Sequence, residues 1–558
     1  MCGIFYTNSS DSSGQLVENL HKIRHRGPDK TTYMYCENHF IGFHRLSING
    51  LSNGDQPFHH VLEQNDKLYE ESILICNGEI YNYKELINEY NLQVKTNSDC
   101  EVIQHLYHKI GMDDTIKLLD GVFGFVLIDI KNKKTFIGRD PLGIRALYYT
   151  RRMNKVWVAS ELKSISQYGV CNQFPPSFYY EIDEKTKKRS MKKYYHLDDV
   201  QATLNDRPLI LKTIKEKLIT SVKKRLMSDR PIGCILSGGL DSTLITAIVC
   251  REYKPYTMNT FTIGLEGSVD LKYARIASKY LKTVHKECIV SEEEFLDAIP
   301  ETIKQIESYC TTTVRASVGN YLVSKFIAKE TDDKVIFCGD VADELFGSYR
   351  GLINAKTDKE FLMENKKLIE DIHFFDVLRS DKSISGAGLE ARVPFADKDF
   401  MKYVMSISPD LKRFDDKNIE KLLLREAFEG YLPTELLYRR KEAFSDGVSS
   451  MERGWYEIIQ EEMNNKYSDI EFEEKREKYK YNKPYDKESL YYREIFEEHY
   501  GKQAKTIPYF WKQPFSTQED PSARLLEEYI NNIDLNSKNE INNDENKMEI
   551  DLEFHPFS

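Results

Sequence analysis

The stretch 232–249 constrains the fold of this chain more than any other. A short apolar run, 232–236, meets the loop Ser237-Gly238-Gly239-Leu240-Asp241-Ser242, and a helical pattern follows over 243–249. A strand that turns through two glycines straight into a helix belongs to a parallel, helix-covered sheet. The rhythm continues, with strands predicted at 260–263, Val284–Val290 and 335–338 and helices at 271–281 and Glu292–Ile306. Ile214, Leu218, Val222 and Leu226 recur at helical spacing ahead of them. Ligands of such sheets bind beyond the carboxyl ends of the strands, which selects the loops 237–242, 264–270 and 339–344. After residue 350 the pattern is largely helical, and the polar, asparagine-rich 535–558 predicts a disordered tail.

The first 205 residues follow another pattern. Short apolar runs at 3–6, 40–43, 73–76, 122–130 and 156–159 predict strands, and 123–130 with 135–137 flank a polar Lys131-Asn132-Lys133-Lys134 turn as an antiparallel hairpin. Helices are predicted at 15–24, 84–90 and 101–110. This is an α+β layered domain dominated by antiparallel strands. The basic, polar stretch 184–206 reads as a boundary. A chain of 558 residues exceeds one core, since domains commonly hold about 100–200 residues. The expected division is 2–200, 207–530 and the tail 535–558.

A net charge of −11 argues against non-specific nucleic-acid binding. No apolar run approaches the roughly 20 residues needed to span a bilayer, and no basic-then-apolar leader is seen. The ten cysteines form no C-x-x-C pair, which suits a reducing compartment and sets the cytoplasm as the expectation. His21 and His25 are four apart, but with no Glu after His21 and no third ligand in view they are expected to be a solvated or core pair.

Cys2 becomes the terminal residue if Met1 is removed. Its α-amine, with an ordinary pKa of about 7.7–8.0, then sits on the same residue as the thiol. Nucleophile and base would share one residue, and thiolate is the reactive form. Further segments follow in order: Arg24-His25-Arg26-Gly27-Pro28-Asp29, Arg45-Leu46-Ser47-Ile48, Asn77-Gly78-Glu79-Ile80-Tyr81-Asn82 after a strand, and Ser98-Asp99-Cys100-Glu101 at the start of a helix. Together with Met1-Cys2-Gly3-Ile4 they resemble the class II glutamine amidotransferases, a branch of the N-terminal-nucleophile hydrolases. The resemblance implies a sandwich of antiparallel sheets between helices. It implies that Arg45 holds the glutamine carboxylate, with Leu46, Ser47, Ile48 and Asn49 beside it. Asp99 would take the amine, Glu79 would share the pocket wall, and Asn77 with the Gly78 N–H would form an oxyanion hole.

The loop Ser237–Ser242 can converge backbone N–H groups at a helix N-terminus, an anion cradle that is not a Walker A loop. It is similar to the pyrophosphate loop of enzymes that split ATP into AMP and pyrophosphate. With Gly264-Leu265-Glu266-Gly267-Ser268 and Asp270, Thr312-Thr313-Val314-Arg315-Ala316-Ser317, Leu389-Glu390-Ala391-Arg392-Val393-Pro394-Phe395 and Arg440-Lys441-Glu442-Ala443-Phe444-Ser445-Asp446-Gly447, the second half resembles the asparagine synthetases. The match spans most of 2–500 and implies an ATP-pyrophosphatase domain. ATP would lie on Ser237, Gly238, Gly239, Asp241 and Ser242, with Ile235, Ile263, Cys338 and Gly339 taking the adenylate. Mg2+ would sit on Asp241 and Asp343, Lys441 would neutralise the leaving pyrophosphate, and Arg315 and Arg379 would bind the acceptor. Glutamine, aspartate and ATP are the implied substrates, with neither nucleic acid nor membrane as partner, and similar bacterial enzymes imply a homodimer.

One departure matters. The family has Ser-Gly-Glu-Gly-Ser-Asp-Glu where this chain has Cys338-Gly339-Asp340-Val341-Ala342-Asp343-Glu344. Asp340, one methylene shorter, replaces a glutamate assigned to intermediate formation or ammonia deprotonation, and Val341 replaces a glycine. Two other readings stay open: a relative adenylating another carboxylate, as β-lactam synthetases do, and a non-catalytic nucleotide- or glutamine-binding remnant.

Overall fold

The computed structural model describes residues 1–64, 67–197, 199–253, 257–414 and 419–526. The predicted tail at 535–558 lies outside the described residues. The first half carries strands β1 (Gly3–Thr7), β2 (Lys30–Cys36), β3 (His39–Arg45), β4 (Phe58–Gln64), β5 (Lys67–Ile80) and β6 (Gly121–Asp129). It continues with β7 (Lys134–Arg139), β8 (Tyr148–Arg152), β9 (Lys155–Ala159), β10 (Asn172–Gln173), β11 (Phe178–Asp183) and β12 (Arg189–Lys193). They form two six-stranded sheets, β10-β8-β9-β1-β3-β2 and β12-β11-β7-β6-β5-β4, with antiparallel pairing throughout.

Period-two alternation stacks these sheets. Ile4, Tyr6, Ile41 and Phe43 of one sheet share a core with Ile73, Ile75, Val126 and Ile128 of the other. The alternate residues face outward. Phe5 packs with Leu16 and Leu20 of helix α1 (Ser13–His21). Leu74, Cys76, Phe125 and Leu127 pack with helices α2 (Tyr83–Tyr90) and α3 (Val102–Ile110) through Leu86, Ile103 and Leu106. The layers are therefore helix, sheet, sheet, helix, as expected, and α4 (Met112–Leu118) follows α3. The predicted 123–130/135–137 hairpin is the β6–β7 pair.

The stretch 184–206, expected to be a boundary, is in part structure. Arg189–Lys193 pairs with β11 as an edge strand, whose half-exposed side chains explain the polar sequence. The next helix, α5 (Arg207–Lys224), is capped by Asp206, which accepts from Leu209 N, with a proline in its first turn.

The second half holds a five-stranded parallel sheet of β13 (Ile232–Ile235), β14 (Asn259–Leu265), β15 (Val284–Val290), β16 (Val335–Phe337) and β17 (Glu390–Arg392). Helices α6 (Leu240–Glu252), α7 (Val269–Leu281), α8 (Glu292–Ile306), α9 (Thr311–Glu330), α10 (Ala342–Phe346), α11 (Asp358–Asp371) and α12 (Asp376–Ser385) accompany it. Strand order is β15-β14-β13-β16-β17. The order reverses at β13, so a crevice opens beyond the carboxyl ends of β13 and β16. All three loops selected from the sequence contribute residues to it.

Candidate active sites

Cys2 stands at the head of β1, and Gly3 pairs with His44 on β3. Its backbone nitrogen donates to Asn77 Oδ1 at 2.8 Å, and Sγ lies 3.7 Å from the Leu46 carbonyl. The other end of the same amide, Asn77 Nδ2, is buried without a hydrogen-bond partner. An unpaired buried donor costs roughly 1–3 kcal/mol. A free N–H group on an amide anchored to the nucleophile's own backbone nitrogen is suited to stabilise a developing oxyanion. Asn77, Gly78 and Glu79, expected to follow a strand, lie within β5, opposite Gly124, Phe123 and Val122. A Cβ on Gly78 would stand 2.3 Å from the Val122 carbonyl oxygen, so packing against β6 itself requires the glycine.

Glu79, Asp99 and Glu390 wall the cleft around Cys2. Asn49 Nδ2 donates to Glu79 at 2.7 Å, and Ile80 N donates to Asp99 at 2.6 Å. Burial pushes Asp99 up to about 6. Burial, with the charges of Asp99 and Glu390, raises Glu79 well above the carboxylate range. Burial favours the neutral form of Glu390 as well, but Arg392, the Met1 amine and Arg145 outweigh it and hold that carboxyl at about 2. Such a wall fits an ammonium group. Burial pushes the Cys2 thiol up to about 11, although the adjacent Met1 amine pulls the other way.

Arg45, Leu46 and Ile48 line the same cleft, whereas Ser47 turns its backbone N–H to Asp29 at 2.8 Å. Arg45 is already engaged. Its Nη1 meets Asp55 at 2.7 Å, and its Nη2 donates to the Gly50 and Asn49 carbonyls at 2.6 and 3.2 Å. The two-point carboxylate clamp expected of Arg45 is not preformed.

The second cleft lies at the sheet's switch point. Gly238 takes φ +71, and a Cβ there would meet the Tyr273 backbone at 2.4 Å, so only glycine fits this loop. Ser237 Oγ and Ser242 Oγ bond at 3.0 Å and tie the loop's ends together. Ile235, Ser237, Gly239, Asp241, Ser242, Cys338 and Gly339 line the cleft, and Gly238 and Ile263 are not among its lining residues. Lys421 bridges Asp241 and Asp343, and Lys441 meets Asp343 at 2.7 Å. Burial alone would raise both carboxyls. On Asp343 the two lysines overcome it and hold the group far below the usual range; on Asp241 burial prevails and the carboxyl is raised. Two cations over two carboxylates beside a glycine loop form a charged floor for a polyphosphate.

Residues 1–202 match the family model described as a glutamine amidotransferase domain, and 213–368 with 364–525 match that of asparagine synthase. The glutamine-hydrolysing asparagine synthetases of Rattus norvegicus and Homo sapiens are each 39% identical to this chain, over 95% of it and 99% of their own length. That of Gallus gallus is 38% identical over the same shares. The chain belongs to the glutamine-hydrolysing asparagine synthetase family. Two residues carried over from this synthetase family are already engaged in the structure. Arg315 does not face the acceptor cleft: its guanidinium is spent on Glu488 at 2.8 and 2.5 Å and on Asp520 at 2.9 and 2.7 Å, and it is buried. Asp340 is not free. Arg379 Nη2 donates to one oxygen at 2.7 Å and Ser380 Oγ to the other at 2.5 Å.

Val341, where the synthetases have glycine, adopts φ +80 while buried. A β-branched residue in that region is strained. Three contributors lay outside the set of site residues expected from sequence. Lys421 belongs to no motif. Glu390 and Arg392 were visible only as part of a motif string; they lie on β17 of the parallel sheet, yet Glu390 lines the Cys2 cleft and Arg392 Nη2 lies 3.3 Å from Glu79. His25 meets Glu161 at 3.0 Å, and the ring of the exposed His21 lies 5.6 Å from that of His44, tilted by 41°.

Proposed function

We propose that this chain makes asparagine from aspartate and ATP, using ammonia cut from glutamine at Cys2. The observation that carries the reading is the Asn77 amide, with its oxygen on the Cys2 nitrogen and its Nδ2 unpartnered. Once Met1 is removed, that nitrogen becomes an α-amine positioned to take the thiol proton. The thiolate attacks the glutamine amide carbon, Asn77 Nδ2 steadies the oxyanion, and the α-ammonium hands its proton to the departing nitrogen, which leaves as ammonia. Water then cleaves the thioester to glutamate. Glu79 and Asp99 hold the substrate ammonium; Arg45 takes the carboxylate after exchanging Asp55.

In the second cleft an aspartate carboxylate attacks the α-phosphorus of ATP. Lys441 and Lys421 neutralise the departing pyrophosphate, and ammonia displaces AMP from the acyl adenylate. Arg379 anchors the acceptor from the Asp340 side. Asp241 and Asp343 suit Mg2+: both are hard oxygen donors, and Asp241 Oδ1 is buried without a partner. When bound, the ion would supply charge compensation for the ATP phosphates. Aspartate-dependent release of AMP with glutamine or ammonium, tested against a panel of other acids, checks the reading. AMP release with another acid alone would favour the second enzyme class.

A further inference from the structure

Far from both clefts, three elements bring metal-ligating side chains together: His60 from β4, Glu71 from β5 and His108 from α3. One ligand atom of each lies within 4.8 Å of the others. We propose that His60, Glu71 and His108 form a binding site for a divalent transition-metal ion of the zinc class.

The arrangement is poorly explained as a hydrogen-bonded cluster. His60 Nδ1 is buried 3.2 Å from a Glu71 oxygen, yet no hydrogen bond forms there. The His60 and His108 rings stack at 4.1 Å with 24° between their planes. Three potential ligand atoms thus converge without a hydrogen bond between His60 and Glu71, and a cation would satisfy them together. Imidazole nitrogens and a carboxylate oxygen are the donor types such an ion takes.

The outer contacts suit a ligand set. Ser72 Oγ lies 2.7 Å from His108 Nε2 and accepts from Gln104 Nε2 at 2.8 Å, so the second ring nitrogen of His108 is fixed by a buried polar network. Lys131 Nζ meets the Glu71 Oε1 atom at 2.7 Å and leaves the Oε2 atom toward His60. A tetrahedral zinc with bonds of about 2.0–2.2 Å places its ligands about 3.3 Å apart. Rotation of the His60 ring, whose side chain is 20% exposed, supplies that contraction. Two imidazoles and one carboxylate favour zinc, cobalt or nickel over the all-oxygen cations. His105, one turn before His108 with its ring 5.3 Å from His60, and solvent are the candidates for the fourth position. A bound ion would pin the β4–β5 hairpin to α3, the helix that begins just after Asp99.

The test uses the full chain stripped by chelator, then titrated with Co2+ followed by visible absorbance and with Zn2+ followed by calorimetry. One equivalent should bind with nitrogen–oxygen ligand colour and without thiolate charge transfer. His60→Gln, Glu71→Gln and His108→Asn, each checked for fold by circular dichroism, should each weaken it at least tenfold, and Mg2+ should not compete. Each variant addresses a different element, so misfolding of one leaves two readouts. Unchanged affinity and stoichiometry in the folded variants, or thiolate-type spectra, would overturn the proposal.

Discussion

Arg26 and Asp381 meet at 2.9 Å, both buried, where the two halves of the chain join. Arg26 Nε also donates to the Cys2 carbonyl at 3.0 Å. Asp381 lies on α12 directly after Arg379 and Ser380, the two residues that hold Asp340. One helix therefore braces both clefts. Removing one partner of a buried pair leaves an uncompensated charge, at a typical cost of about 3–5 kcal/mol. Arg26 keeps Glu161 at 2.9 Å, so Asp381→Leu is expected at the low end, about 3 kcal/mol by denaturant unfolding. Glutamine hydrolysis should fall more than ammonia-dependent synthesis, because the Cys2 anchor loosens.

Asn77→Ala removes the buried, unpartnered Nδ2. Loss of one oxyanion donor costs about 10²–10³ in kcat. The expected result is a drop of that size in the glutaminase kcat. Ammonia-dependent amide formation should stay near its original rate.

Val341→Gly relieves a buried β-branched residue at φ +80. Such strain costs about 1–3 kcal/mol, and the glycine's extra freedom in the unfolded chain offsets part of the gain. A net stabilisation of ~1 kcal/mol is expected by urea unfolding. An equal or lower midpoint would show that the loop is not strained.

His44 sets an acid limit on stability. Its Nε2–H donates to the Leu20 carbonyl at 2.9 Å, and the Thr31 hydroxyl serves its Nδ1 at 2.8 Å, which fits the neutral ring. Burial holds it down at about 4, against an ordinary value near 6.5. Between those values the unfolded chain binds the proton and the folded chain does not. Stability is therefore full above about pH 6.5 and falls toward pH 4, by no more than about 3 kcal/mol from this group. His44→Gln should flatten that part of the pH–stability curve measured by thermal unfolding.

Much of this was legible in sequence because local rules and global packing agree. The β13–loop–α6 unit carries its own signal in two glycines between apolar runs, and the β6–β7 hairpin carries its own in two apolar runs flanking a polar turn. β17 escaped because three residues, two of them charged, show no period; only their pairing with β16 makes them a strand. Lys421 escaped because its role is set by distant carboxylates, Asp241 and Asp343, rather than by any neighbour in sequence. The partners of Arg315 were not legible because motif membership says nothing about which way a guanidinium points. Two acids from the C-terminal helical part, Glu488 and Asp520, claim it.

The division of labour between the two clefts is tested most directly by Cys2→Ala, assayed for asparagine with glutamine and, separately, with ammonium as nitrogen source. Glutamine-dependent synthesis should vanish while ammonium-dependent synthesis keeps its rate. Equal loss of both, or survival of glutamine use, would contradict a terminal thiol feeding a remote adenylation site.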